Sequence, residues 1–190
     1  MKKIQLMMLV AGSTLLAMNA AHASDGTINF TGSVVASTCV INGGTNDLAV
    51  ALPKIATNQL GKAGASAGRT PFTLSLTGCT VDTATVPAPV SKVSVAFEPG
   101  PNVNLGTGRL TPSGTNAASG VEIAILNDKY SPIKIGGATG SQGTQVVDID
   151  TAVNGTGAAT LQFAAEYVAT GDPVSGGSAD TFVTYSLVYP

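Results

Sequence analysis

Phe72-Thr73-Leu74-Ser75-Leu76-Thr77-Gly78-Cys79 alternates apolar and polar side chains at every step until a glycine interrupts it. In an extended chain successive side chains point to opposite faces, so Phe72, Leu74 and Leu76 share one side and Thr73, Ser75 and Thr77 the other. That is a strand with one face in a core and one in water. The same period runs outward in both directions. Ile28, Phe30 and Val34 alternate with Asn29, Thr31 and Ser33, and Val93, Val95 and Phe97 with Ser94 and Ala96. Further strands are read at Val121, Ile123 and Ile125, at Ile133 and Ile135, at Leu161, Phe163 and Tyr167, and at Val183, Tyr185, Leu187 and Tyr189. Turn chemistry separates them at Asn42-Gly43-Gly44, Glu98-Pro99-Gly100-Pro101, Gly136-Gly137, Asn154-Gly155 and Gly176-Gly177. Helical spacing is nearly absent, and the Ala- and Gly-rich segment Thr57 to Gly68 is the one place for a short helical turn. Short strands so spaced predict an all-β sandwich or barrel.

The chain opens with Met1, Lys2 and Lys3 ahead of an apolar run, Ile4 to Ala17, and closes that region with Ala21-His22-Ala23. This is the pattern of a secretory signal peptide cut after Ala23. Gln5, Gly12, Ser13 and Thr14 interrupt the run, which falls short of the ~20 apolar residues of a membrane span. The expected mature chain, residues 24–190, has the length of one domain and no stretch apolar enough to span a membrane. Removing Lys2 and Lys3 from the 9 basic residues leaves seven against 11 acidic ones, a net charge of −4. No basic patch is left for nucleic acid. Only 11% of the residues are charged, and a polar surface with so little repulsion suits self-association.

Cys39 and Cys79 both lie in the exported part, where an oxidising compartment lets them pair. A bridge closing that loop stabilises by roughly 4 kcal/mol in the chain-entropy view. Neither cysteine has the spacing of a redox or metal pair. The one histidine, His22, falls in the signal peptide, so the mature chain can build no Ser-His-Asp relay, Cys-His pair or histidine metal site. Carboxylates remain: Asp148 and Asp150 on one strand face, and Glu98, Glu122 and Glu166 near strands. Two acids at i and i+2 beside Thr151 read as a solvated strand face rather than a glycosidase pair or a calcium site. No enzyme activity, cofactor or metal is expected.

The two ends of the mature chain resemble a known family. Ser24-Asp25-Gly26-Thr27-Ile28-Asn29-Phe30-Thr31-Gly32-Ser33-Val34-Val35, followed by Cys39, is similar to the N-terminus of fimbrial (pilin) subunits of the bacterial chaperone-usher pathway. Phe72 to Cys79 resembles the family's second-cysteine strand, and Val93 to Gly100 the strand and turn after it. The end, Tyr185-Ser186-Leu187-Val188-Tyr189-Pro190, carries a penultimate tyrosine, Tyr189, with Gly177 fourteenth from the terminus, as in that family's C-terminal signature. The resemblance covers essentially the whole mature chain.

It implies an immunoglobulin-like sandwich that lacks its last strand and is completed by a donor strand from a neighbouring subunit. The domain division that follows is a signal peptide over residues 1–23 and a pilin domain over 24–190, with a donor extension at 24–35. The donor's inward face would be Ile28, Phe30, Gly32 and Val34, with Gly32 facing a place too shallow for a side chain. Gly177, Tyr189 and Pro190 would serve recognition by a periplasmic chaperone and an outer-membrane usher. The implied partners are copies of this chain and other fimbrial subunits. The implied destination, through the periplasm, is a cell-surface fimbrium that supports adhesion. A single domain that begins with a donor extension reads as the major shaft subunit, with a minor or adaptor subunit as the alternative. From other classes, a secreted monomeric carbohydrate-binding sandwich and a carboxylate-dependent hydrolase stay open.

Overall fold

A computed structural model describes residues 28–32, 39–80, 90–150 and 156–190. It divides into two units, Met1–Ser33 and Val34–Pro190. In the first, residues 28–32 lie outside any helix or strand. The second shows, among the described residues, an antiparallel two-sheet structure of nine strands. The larger sheet is built on β2 (Ser66–Thr80) and β8 (Thr156–Ala169), which pair over almost their whole length, with Phe72 opposite Phe163, Leu74 opposite Leu161 and Leu76 opposite Ala159. The strand β1 (Val40–Ile41) borders β2, and on the far side of β8 come β6 (Val121–Leu126), β5 (Arg109–Leu110) and β4 (Val103–Asn104). The smaller sheet places β3 (Lys92–Phe97) between β7 (Val146–Asp148) and β9 (Tyr185–Val188).

The alternation that opened the sequence is what the core uses. Leu74, Leu76, Leu161 and Phe163 from one sheet meet Val93, Val95 and Phe97 from the other, all buried. Phe163 stacks on Phe72 at 5.4 Å and meets Phe97 edge-on at 5.5 Å. Each such side chain is worth ~1.5–3 kcal/mol on burial. The disulfide Cys39–Cys79 forms, with Cys79 fully buried at the end of β2. Two bulges bend β2, between Ala67 and Thr70 and between Leu76 and Cys79, and each contains a glycine with positive φ, Gly68 at 71° and Gly78 at 63°. Only glycine adopts that backbone without strain.

Three expectations are corrected. Ile133 and Ile135 are buried, but they form no strand; a single bond from each, Ile133 N to Ile125 O and Ile135 N to Gly108 O, anchors an irregular loop. Strand β6 is buried at all six positions rather than on one face, because Ala124 and Leu126 join Ala164 and Val168 in a second cluster opposite the core. The last strand is shorter than the alternation from Val183 to Tyr189 suggests, running only from Tyr185 to Val188. The helical turn expected in Thr57 to Gly68 is a 3-10 turn over Thr57–Leu60, after which β2 has already begun at Ser66.

Beyond its pairing with β7, strand β3 is continued by a side chain. Buried Gln142 accepts from the Phe97 N–H and donates to the Phe97 carbonyl, both at 2.8 Å, as a neighbouring strand would. Gln142→Leu leaves the Phe97 N–H unpaired, whereas the Phe97 carbonyl keeps the Gly136 N–H at 3.2 Å, and the one orphan costs ~1–3 kcal/mol. The expected loss is about 1–3 kcal/mol, read as a lower thermal unfolding temperature.

Candidate functional site

Strand β9 ends the smaller sheet. On one side it bonds to β3, with Ser94 opposite Val188 and Phe97 opposite Tyr185, and on the other no strand pairs with it among the described residues. Across from that open edge runs the segment 47–52, which also belongs to no ladder. Between that segment and residues 179–185, which lead into β9, lies a groove of about 740 Å³. Its walls are Asp47 to Leu52 and Ala179 to Tyr185, and its floor is the sandwich interior itself, Phe72, Leu74, Phe97, Leu110, Ile123, Ile125 and Ala165. Apolar side chains from both sheets therefore face an unfilled space bordered, among the described residues, by backbone at 47–52 and 179–184 that belongs to no strand. Along the last segment, Thr181, Val183, Tyr185, Leu187 and Tyr189 turn inward while Phe182, Thr184 and Ser186 are exposed, the period-two pattern that the sequence displays.

Several local features mark the groove as unfinished. The Thr181 hydroxyl lines it, buried and without a hydrogen-bond partner among the described residues, which a settled interior rarely tolerates. Large apolar side chains stand at its rims, Leu48 and Phe182, the latter 60% exposed. Burial, and then the Asp47 carboxylate, push the Tyr185 phenol above its ordinary pKa, and burial with Asp180 does the same for Tyr167. Both stay protonated donors at neutral pH. Tyr185 donates to the Asn46 carbonyl at 2.6 Å.

The sequence-read residues fall as follows. Ile28 and Phe30 are 80% and 91% exposed, and a Cβ added at Gly32 would meet no atom within 4 Å. The readings on Met1 to Ala23 and on Val34 lie outside the described residues. Tyr189 packs partly into the core, with burial raising its pKa, and Pro190 is exposed. Gly177 lies against the backbone of residues 116–118. Neither Gly177 nor Tyr189 lines the groove. Asp148 pairs with Lys92 at the surface, as a solvated strand face does. Glu122 is buried against Asn104 and Arg109, and Glu166 against Arg69, each acid held by a cation rather than by a second carboxylate. The wall at 47–52 was not picked out from sequence, although Leu48, Val50 and Leu52 alternate; that period was the available signal.

An all-β sandwich open along its last strand, its apolar interior exposed in the gap and a disulfide tying β2 to the segment before β1, has the architecture of an immunoglobulin-like pilus subunit. The comparisons agree with that class. A family model described as fimbrial protein matches residues 28–189. The major fimbrial subunit SMF-1 of Stenotrophomonas maltophilia is 40% identical over 175 residues, covering 90% of this chain and 95% of that one. The F17 fimbrial protein of Escherichia coli is 36% identical over 192 residues, covering 100% and 99%. Among solved structures, an antigen and type I fimbria protein of Burkholderia pseudomallei superposes with a TM-score of 0.51 at 27% identity, covering 86% and 97%. This chain belongs to the fimbrial protein family, whose members are structural subunits of surface fimbriae.

Proposed function

We propose that this chain is the major shaft subunit of a chaperone-usher fimbria and polymerises by donor-strand exchange. Its groove receives residues 24–35 of the next copy, and its own extension, freed by cleavage after Ala23, fills the groove of a neighbour. The observation that carries this reading is the open edge of β9 beside an apolar groove, in a chain whose extension alternates Ile28, Phe30, Gly32 and Val34. A strand added there pairs the unpaired backbone and buries the alternate side chains, which is strand addition used as assembly.

Three large apolar side chains at ~1.5–3 kcal/mol each, with several main-chain bonds at ~0.5–1.5 kcal/mol each, contribute on the order of 10 kcal/mol before the cost of association. Release requires opening the sandwich, so the polymer is kinetically durable. Before assembly a periplasmic chaperone covers the same groove, with Tyr189 and Pro190 at the end of the strand it grips and Gly177 in the segment leading to it, and exchange takes place at the outer-membrane usher. The completed fimbrium stands on the cell surface and supports adhesion. That relatives at 40% and 36% identity are themselves fimbrial proteins, one of them named a major subunit, supports the shaft role.

The test is expression of the chain with and without Ser24 to Val34 behind the same export segment. The intact chain yields ladders that resist detergent and dissociate on heating, and the shortened chain yields none. Ladders that persist after the deletion, or a stable monomer in both cases, would overturn the reading.

A further inference from the structure

The groove wall and the proposed donor carry matching sets of inward residues. On the wall these are Ala179, Thr181, Val183 and Tyr185, partly buried along the groove while Asp180, Phe182 and Thr184 between them are exposed. The Thr184 carbonyl turns toward β3, where it accepts from the Glu98 N–H at 2.9 Å. Main-chain groups alternate sides along an extended strand as side chains alternate faces. Thr181 and Val183 therefore turn theirs to the open edge, and among the described residues nothing bonds to them. The donor offers Ile28, Phe30, Gly32 and Val34 at the same period. Four positions laid on four leave two alignments. Parallel to the wall, the donor sets Phe30 at Thr181 and Gly32 at Val183; antiparallel, it sets Gly32 opposite Thr181 and Phe30 opposite Val183. A slide of one period in either direction leaves one wall position bare and carries one donor side chain past the residues that line the groove.

The Thr181 hydroxyl separates the two. It is buried in the groove wall without a hydrogen-bond partner among the described residues. Covered by the Phe30 ring, it stays unpaired in the finished polymer, which buried polar groups rarely do. Opposite Gly32 no side chain stands over it, and a donor carbonyl with a second lone pair to spare faces it bare. Antiparallel pairing is also the slightly stronger ladder. Resting on the strand-exchange reading, we infer that the donor enters antiparallel to residues 179–185 with Gly32 seated on Thr181, whose hydroxyl bonds the donor main chain there. Ile28, Phe30 and Val34 then fall opposite Tyr185, Val183 and Ala179. A side chain at residue 32 would displace the hydroxyl's bond, so Thr181 is a specificity-determining residue that admits glycine.

Cross-linking reads the register. Asn29, on the donor's other face, falls opposite Thr184 in this alignment, opposite Asp180 in the parallel one, and opposite Phe182 or Ser186 after a slide of one period. Full chains carry Asn29→Cys together with Asp180→Cys, Phe182→Cys, Thr184→Cys or Ser186→Cys, all exposed positions. A disulfide spans Cα atoms roughly 4.4–6.8 Å apart, which suits facing residues and falls short of the next rung. After mild oxidation, Asn29→Cys with Thr184→Cys should alone yield ladders that survive heating in detergent and fall apart on reduction. Cross-links at the other positions instead, or ladders without any cross-link, overturn the register and leave strand exchange standing. Absence of ladders from the parent chain sinks the strand-exchange reading and the register with it. Thr181→Val keeps the side chain's shape and removes its donor. Its ladders should dissociate about 1–6 °C lower, while its unpolymerised fraction, where the hydroxyl has no partner to lose, melts no lower than the parent's. Ladders that dissociate at the parent's temperature or above overturn the hydroxyl's role, as does an equal fall in the unpolymerised fraction, which assigns Thr181 to the fold alone.

Discussion

Gly32→Leu is expected to abolish detergent-resistant ladders, lowering polymer yield about tenfold or more, while the subunit is still exported and captured by its chaperone. Among the described residues nothing explains the glycine. Its φ lies outside the left-handed region, and an added Cβ would meet no atom within 4 Å, so leucine there costs the subunit's own fold nothing. On the proposed function, the demand for a missing side chain comes from a surface outside the subunit. In the strand-exchange reading that surface is the neighbour's groove, where the alternation puts Gly32 on the same face as Ile28 and Phe30. Forcing four carbons into a shallow site costs ~1–3 kcal/mol by overpacking and shifts the flanking apolar residues off their seats. Gly32→Ala should fall between. The readout is the ratio of ladder to monomer on an unheated detergent gel, with co-purification of the chaperone as the control. Normal ladders from the leucine variant would remove Gly32 from the donor face.

The parts of this fold that follow from side-chain period were legible before any coordinates. Phe72, Leu74 and Leu76 point inward as read, and so do Val93, Val95 and Phe97. What period reports, however, is burial and not pairing. Ile133 and Ile135 are buried in a loop whose bonds are single and scattered, and the same alternation that signals a strand elsewhere is satisfied there without one. Strand β6 shows the converse: its outer residues Ala124 and Leu126 are small or apolar enough to be covered, and Glu122 among them is tolerated because Asn104 and Arg109 meet its carboxylate.

The groove was legible at one end only. Its last-strand wall carries a long alternation, whereas the wall at 47–52 offers only the short run Leu48, Val50 and Leu52 and, among the described residues, belongs to no strand. Ile28 and Phe30 invert the usual rule, being large, apolar and almost fully exposed. Sequence reads them as interior residues, and that is informative once the interior they fit is taken to be a neighbour's.

Gly177→Ala separates recognition from packing at the position that the C-terminal signature singles out. A Cβ at residue 177 would lie 2.5 Å from the Asn116 carbonyl oxygen, 2.6 Å from the Ala118 nitrogen and 2.9 Å from the Ala117 carbonyl carbon, all main-chain atoms that cannot rotate aside. They are held by a parallel bridge between Ala117 and Ser178, with Ala118 N donating to Ser178 O at 2.7 Å and Ser178 N to Asn116 O at 2.9 Å. Relieving the clash means parting that bridge, so the substitution combines overpacking of ~1–3 kcal/mol with weakening of two bonds at ~0.5–1.5 kcal/mol each. A loss of about 2–4 kcal/mol is expected, and at ~2–4 °C per kcal/mol for a chain of this size the heat-dissociation temperature of the ladders falls by about 5–15 °C. The damage does not stay local. Ser178 leads directly into the groove wall that begins at Ala179, so displacing it shifts Thr181 and Val183 against the floor they face. If a chaperone or usher instead reads Gly177 directly, the variant should keep its dissociation temperature and lose only capture. A dissociation temperature unchanged within ~1 °C would overturn the packing account.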